Sequence, residues 1–221
     1  MNRFLISAAH RSSGKTVVSA GLATALTRRG HKVSTFKKGP DYIDPMWLGL
    51  ACGQPCWNLD FFTMGRDEIR ECFVRQSAGA DVVLIEGNKG LFDGLDVEGG
   101  DSNAALAKLL NIPVVLVIDV TGMTRGIAPL LSGYIAFDPE IRIAGVVLNR
   151  VAGPRQEHKL RAAIDRYTDL TVLGAIPRSE ELHIEERHLG LVTSAEHDQA
   201  DIWLGSVAKT VDAAVDIEAL L

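Results

Sequence analysis

Residues Ala9-His10-Arg11-Ser12-Ser13-Gly14-Lys15-Thr16 join an apolar stretch, Phe4 to Ala8, to one with apolar residues at helical spacing, Val17 to Arg29. From Gly14 onward the letters match a phosphate-binding loop, with Ala9 standing where the first glycine usually falls. Ser12, Ser13 and Gly14 offer backbone N–H groups, and Gly14 lets that backbone approach phosphate oxygens closely. Lys15 supplies a cation for the β- and γ-phosphates, and the Thr16 hydroxyl can ligate Mg²⁺. The strand–loop–helix setting favours ATP or another nucleoside triphosphate over a simple capping turn. It is silent on what the triphosphate is used for.

Two acidic segments follow. Lys37-Lys38-Gly39-Pro40-Asp41-Tyr42-Ile43-Asp44-Pro45 sets two carboxylates behind two lysines, framed by prolines that are expected to stop the segment continuing as strand or helix. Read alone, it is either a stiff loop suited to holding Mg²⁺ or a capped turn with solvated charges. Glu86 closes an apolar run and leads into Gly87-Asn88-Lys89-Gly90-Leu91-Phe92-Asp93-Gly94. An acid there suits metal holding or water positioning beside a phosphate loop.

These residues need a scaffold. Runs of strand length recur at Phe4–Ala8, Lys32–Phe36, Asp81–Glu86, Val114–Asp119, Ala144–Leu148 and Thr171–Ile176. Several are continuously apolar, as strands buried on both faces of a parallel sheet are. Helical stretches are expected at Glu68–Gln76, Ser102–Leu110, Gly126–Phe137, Arg155–Tyr167 and Asp198–Ala214. The alternation predicts an α/β fold, a doubly wound, mainly parallel sheet of the P-loop kind. Residues 38–65 and 87–101 are expected to be long irregular connections after strand ends.

Composition narrows the class. The 221 residues carry a formal net charge of -5, which argues against nucleic acid as the main partner. Hydrophobic residues make up 47% and no apolar run reaches membrane-span length, so no membrane association and a cytoplasmic location are expected. The three cysteines, Cys52, Cys56 and Cys72, read as thiols in a reducing compartment. No second pair of ligand spacing accompanies Cys52 and Cys56, and His183 and His188 do not have the spacing of a zinc helix. Trp47 and Trp57 fit core packing or the lining of a flat ligand equally well.

Behind the phosphate loop, four blocks carry a resemblance: Lys37-x-Gly39-Pro40-Asp41-Tyr42-Ile43-Asp44-Pro45, Glu86-Gly87-x-x-Gly90-Leu91-Phe92-Asp93-Gly94, Leu148-Asn149-Arg150-Val151 and Glu186-Arg187-His188-Leu189-Gly190-Leu191. In this order they resemble the cobyrinic acid a,c-diamide synthase family, whose synthetase domain is dethiobiotin synthetase-like. The resemblance implies that ATP phosphorylates acetate side chains of a tetrapyrrole and that ammonia from glutamine then displaces phosphate. It places Lys15, Asp41, Asp44 and Glu86 in catalysis, Thr16, Asp41 and Glu86 around Mg²⁺, and Asn149 and Arg150 at the nucleotide. Lys37, Tyr42 and Asp93 would face the substrate.

Residues 1–221 then read as one ATP-dependent synthetase domain without the family's C-terminal glutaminase domain, so ammonia would come from a separate glutaminase or from solution. Homodimerisation stays open. Asn88-Lys89 and Gly122-Met123-Thr124-Arg125-Gly126 look more like a branch that amidates sirohaem, in which Lys89 and Arg125 would contact tetrapyrrole carboxylates or stay solvated. Dethiobiotin synthetase and a partition-type ATPase are the alternatives. The segment at 39–45 counts against the first, and His10, where the second carries a signature lysine, against the other.

Overall fold

A computed structural model of the chain describes residues 1–182 and 199–221, together with the backbone of 186–187 and 190–191. The side chains of the 186–191 block, as well as His183 and His188, lie outside the described residues.

Seven strands, β1 (Asn2–Ala8), β2 (Val33–Lys38), β3 (Trp57–Leu59), β4 (Val82–Glu86), β5 (Val114–Asp119), β6 (Ile143–Val151) and β7 (Val172–Pro177), form one sheet. Their order is β3-β2-β4-β1-β5-β6-β7, and every pairing is parallel. Val82–Glu86 and Val114–Ile118 are buried throughout because helices cover both faces. Helices α1 (Lys15–Arg28), α2 (Ile43–Cys52) and α7 (Ala200–Ala214) lie against Ile6, Leu84 and Val117. Helices α3 (Arg66–Gln76), α4 (Asn103–Leu110), α5 (Ile127–Phe137) and α6 (Pro154–Tyr167) lie against Leu5, Ile85 and Leu116 on the opposite face. Neighbours in sequence thus serve opposite cores, the alternation that a strand imposes.

The six expected strands and six expected helices are all present, with ends moved by a few residues. Among the elements not expected, two correct the reading of 38–65 as irregular. Pro45 does not stop a helix. It sits at the third position of α2, inside the first turn, where no intrahelical donor is required of it. Asp41 Oδ1 accepts the two N–H groups ahead of it, from Ile43 at 2.9 Å and Asp44 at 3.2 Å. The other element, β3, is a three-residue edge strand beside the end of β2. Residues 87–101 contain neither helix nor strand, as expected.

Strand β1 lies between β4 and β5, so the chain departs to both sides of it. The crevice beyond its carboxyl end is where such sheets bind ligands. Trp47 supports this region from below. It is fully buried, with its ring 4.8 Å from that of Trp203 in an edge-on packing, whereas Trp57 is 40% exposed at the sheet edge. Trp47 therefore belongs to the core. Trp47→Ala should destabilise the protein by about 3–5 kcal/mol, read as a lowered midpoint in urea unfolding. An unchanged midpoint would show that α2 does not depend on this packing.

Candidate nucleotide and acid site

The phosphate loop leaves β1 at Ala8 and enters α1 at Lys15. Ser12 (φ 61°) and Gly14 (φ 90°) both take left-handed backbone. Gly14 is required twice over, since a Cβ there would also lie 2.1 Å from Asn149 Nδ2. Asn149, at the end of β6, donates to the Ser13 carbonyl at 2.9 Å and forms the floor of the loop. Within the loop, Ser13 Oγ donates to the His10 carbonyl at 2.9 Å. The Ala9 carbonyl accepts from the Tyr134 hydroxyl at 2.7 Å, and the Ala8 carbonyl from the Leu91 N–H at 2.8 Å. The loop is thus held from β6, from α5 and from the segment after β4.

Register explains the acids. Glu86 is level with Ile6 of β1 and with Lys37 of β2, so Lys37 and Glu86 project from the same face of the sheet. That face carries α1 and α2. Lys37 Nζ lies 2.9 Å from Glu86 Oε1 and 2.5 Å from Asp44 Oδ2 in the first turn of α2, and donates to the Gly87 carbonyl at 3.1 Å. These partners use all three of its N–H bonds. The sequence places Lys37 at the substrate; the structure makes it the cation that joins two carboxylates. Thr16 Oγ1 donates to the same Glu86 Oε1 at 2.8 Å. Glu86 Oε2 is buried without a hydrogen-bond partner. A hydroxyl beside a spare carboxylate oxygen fits Mg²⁺, which takes few protein ligands and shares the rest with phosphate and water. Among the described residues no cluster of three or more His, Cys, Asp or Glu side chains could hold a metal unaided.

The other expected residues fall into two groups. Asp41 and Asp93 border the cluster. Asp41 spends Oδ1 on capping α2, and burial followed by the nearby Asp44 carboxylate pushes it above the usual carboxylate range. Asp93 is exposed and Oδ2 accepts the Gly90 N–H at 2.9 Å. Tyr42 is 66% exposed beside them. Arg150, next to Asn149, and Arg125 each have a partner of their own. Arg150 pairs with Asp119 at 2.6 Å, and Arg125 donates to the Tyr167 hydroxyl at 3.0 Å with its guanidinium over the ring. Lys89 is exposed, with φ 47°. Cys52 lies 3.5 Å from Thr35 Oγ1, and burial pushes the Cys56 thiol up to about 12, which makes it inert.

Sequence reasoning missed Asn103. This buried residue opens α4 and reaches back to the segment after Glu86: Nδ2 donates to the carbonyls of Asn88 (2.6 Å) and Gly90 (2.9 Å) and to Ser7 Oγ (3.0 Å), while Oδ1 accepts the Asn88 N–H (3.0 Å). The only signal in the sequence is Ser102-Asn103 at a helix start, which reads as ordinary capping; Ser102 is indeed the cap.

A loop with left-handed residues on a helix N-terminus, a buried lysine at its end and an acid bonded to the threonine that follows define a P-loop nucleotide-binding domain. The family model described as the CobQ/CobB/MinD/ParA nucleotide binding domain matches residues 6–192, and the chain belongs to that family. It is similar to cobyrinate a,c-diamide synthase of Magnetococcus marinus, 50% identical over 99% of this chain and 47% of that protein. It is also similar to hydrogenobyrinate a,c-diamide synthase of Brucella anthropi, 42% identical over 100% of this chain and 50% of that protein. The chain spans about half the length of the curated relatives it matches. The fold is shared with MinD of Pyrococcus horikoshii in complex with Mg-ADP (TM-score 0.51, 18% identity, 96% of each chain). It is shared too with chloroplast FtsY of Physcomitrella patens (TM-score 0.56, 17% identity, 93% of this chain and 65% of that one). No helix among the described residues is long and apolar enough to cross a membrane.

Two buried charges in this site are held at a cost. Burial lowers the Lys15 ammonium to about 8 from 10.5. That disfavours its charged form by about 3 kcal/mol. The penalty is complete below the folded value and fades as pH rises from about 8 to 10.5. Burial likewise raises Glu86 to about 7 from 4.5, so its penalty is absent below 4.5 and complete above 7. Between about 7 and 8 both charges are present together. Lys15→Met should therefore raise the thermal midpoint of the nucleotide-free protein in that window and lose this advantage by pH 10.5, while abolishing triphosphate binding. A lowered midpoint near neutrality would refute the account. Gly14→Ala should also abolish triphosphate binding, measured by equilibrium titration, because the added methyl drives Asn149 off the floor.

Proposed function

We propose that this domain is the ATP-using part of an amidoligase that converts an acetate carboxylate of a tetrapyrrole into an amide, with Mg²⁺ as cofactor. The observation that carries the reading is the Lys37-centred pair of acids, Asp44 and Glu86, fixed beside Thr16 at the phosphate loop. The names of the relatives supply the substrate class, since cobyrinate and hydrogenobyrinate are the polycarboxylates those proteins amidate.

A carboxylate is a poor acyl donor because oxide is a poor leaving group. In the proposed reaction a carboxylate oxygen forms a bond to the γ-phosphorus, the bond from that phosphorus to the β–γ bridging oxygen breaks, and ADP leaves. Ammonia then forms the C–N bond, the C–O bond to phosphate breaks, and a proton is released. The first step brings anion against anion. Lys15 and the N–H groups of the loop neutralise the γ-phosphate and its departing partner. Thr16 and the spare oxygen of Glu86 would hold Mg²⁺, which supplies further neutralisation of the phosphates. Asp44, held by Lys37 on the outer side of the cluster, faces the substrate with Asp41, Tyr42 and Asp93. Asn149 and Arg150 border the nucleotide at the end of β6. Ammonia is drawn from a glutaminase or from solution.

The test incubates the protein with ATP, Mg²⁺, an ammonium salt and, in separate reactions, cobyrinic acid, hydrogenobyrinic acid and sirohaem. Amidation appears as the mass difference between a hydroxyl and an amino group, and the macrocycle that reacts identifies the branch. ATP turnover without change in any macrocycle would overturn the reading. Asp44→Asn should lower amidation at least ~100-fold while leaving triphosphate affinity within about threefold. Equal loss of both would remove Asp44 from the substrate side.

A further inference from the structure

We infer that Asn103 is a positioning residue for phosphoryl transfer: its buried amide sets the path of the segment that runs from Glu86 to Asp93. The inference rests on nucleotide turnover by this site and does not depend on which carboxylate is amidated. Glu86 ends β4, and the chain then has neither helix nor strand until α4. Such a stretch has no ladder to satisfy its backbone, yet Asn88 is half-buried and Gly90 buried. Asn103 supplies the missing partners. Its amide meets one N–H and two carbonyls of residues 88–90, and the same nitrogen, sharing one of its two N–H bonds, reaches Ser7 Oγ in β1. One side chain thus ties the post-Glu86 segment to the strand that launches the phosphate loop.

Two neighbouring features show that this fit is specific. A Cβ at Gly87 would lie 2.7 Å from Asn103 Cγ, so the chain passes the amide at a distance only glycine allows. Beyond the clamp, Leu91 bonds Ala8 and accepts from Ala104, and Gly90 bonds Asp93. The segment is therefore pinned at successive points: Gly87 by Ile6 and Lys37, then residues 88–90 by Asn103. Lys37 also bonds the Gly87 carbonyl, so a shift here moves the lysine that holds Asp44. Small displacements of reacting groups can cost about a hundredfold in rate without changing ground-state binding.

Asn103→Asp keeps the size of the side chain and removes its donors. In this variant the basal ATP turnover should fall at least tenfold. Equilibrium affinity for ATP should stay within threefold, and amide hydrogen exchange should accelerate at residues 88–91 but not at 13–16. Unchanged turnover, an equal loss of affinity, or exchange that rises throughout the domain would each overturn the inference. Asn103→Ser, whose shorter side chain cannot bridge 88 to 90, is judged by the same criteria and decides the matter should the aspartate variant not fold. Failure of the wild-type protein to amidate any macrocycle would strike the proposed substrate alone, because ATP turnover and hydrogen exchange report on Asn103 without it.

Discussion

The buried ammonium of Lys37 is the interaction on which the site depends. Its neighbours are two carboxylates and a carbonyl, and it is 2% exposed. Burial alone would lower the basicity of such a group, but Glu86 and Asp44 outweigh burial and hold it above the ordinary lysine range. The reciprocal constraint is stronger. Without Lys37, Asp44 and Glu86 would be two like charges next to Asp41 at the mouth of an anion-binding loop. Breaking a buried pair by removing one member costs about 3–5 kcal/mol because an unpaired charge remains. The cation therefore fixes where α2 begins relative to the sheet, and so where Asp44 stands relative to the phosphate loop.

Stability and binding pull against each other here. Lys15 and Glu86 are both charged near neutrality and both pay for burial. Glu86 also keeps an oxygen without a partner. A protein selected for stability alone would replace these groups, whereas a site built to receive a nucleotide leaves them incompletely satisfied. The surrounding hydrogen bonds, from Tyr134, Asn149 and Asn103, supply the rigidity that keeps the unsatisfied groups in place.

Much of this was legible in the sequence, and the rest was hidden for identifiable reasons. The continuously apolar strands could be read directly, because burial on both faces leaves no room for polar alternation. Lys15, Thr16, Asp44 and Glu86 could be picked out by type and position. Helix α2 could not, because Pro45 reads as a breaker unless one knows that it occupies the first turn behind an Asp41 cap. Strand β3 was too short, at three residues, to show a period. The role of Lys37 depended on which strands are neighbours: β2 lies beside β4 although β3 intervenes in the chain, and only that order brings Lys37 level with Glu86. Asn103 carried no signal because its partners are backbone atoms, which every residue possesses.

The floor of the phosphate loop comes from far along the chain. Asn149 supports Ser13 across 136 residues, through a strand that is two places from β1 in the sheet. The motif letters are synthesised first, and the amide that shapes them emerges only when β6 is made. A nascent chain that has passed Thr16 but not Asn149 therefore owns the nucleotide signature without the surface that goes with it. The geometry of the phosphate loop is therefore complete only once the sheet has been assembled through β6.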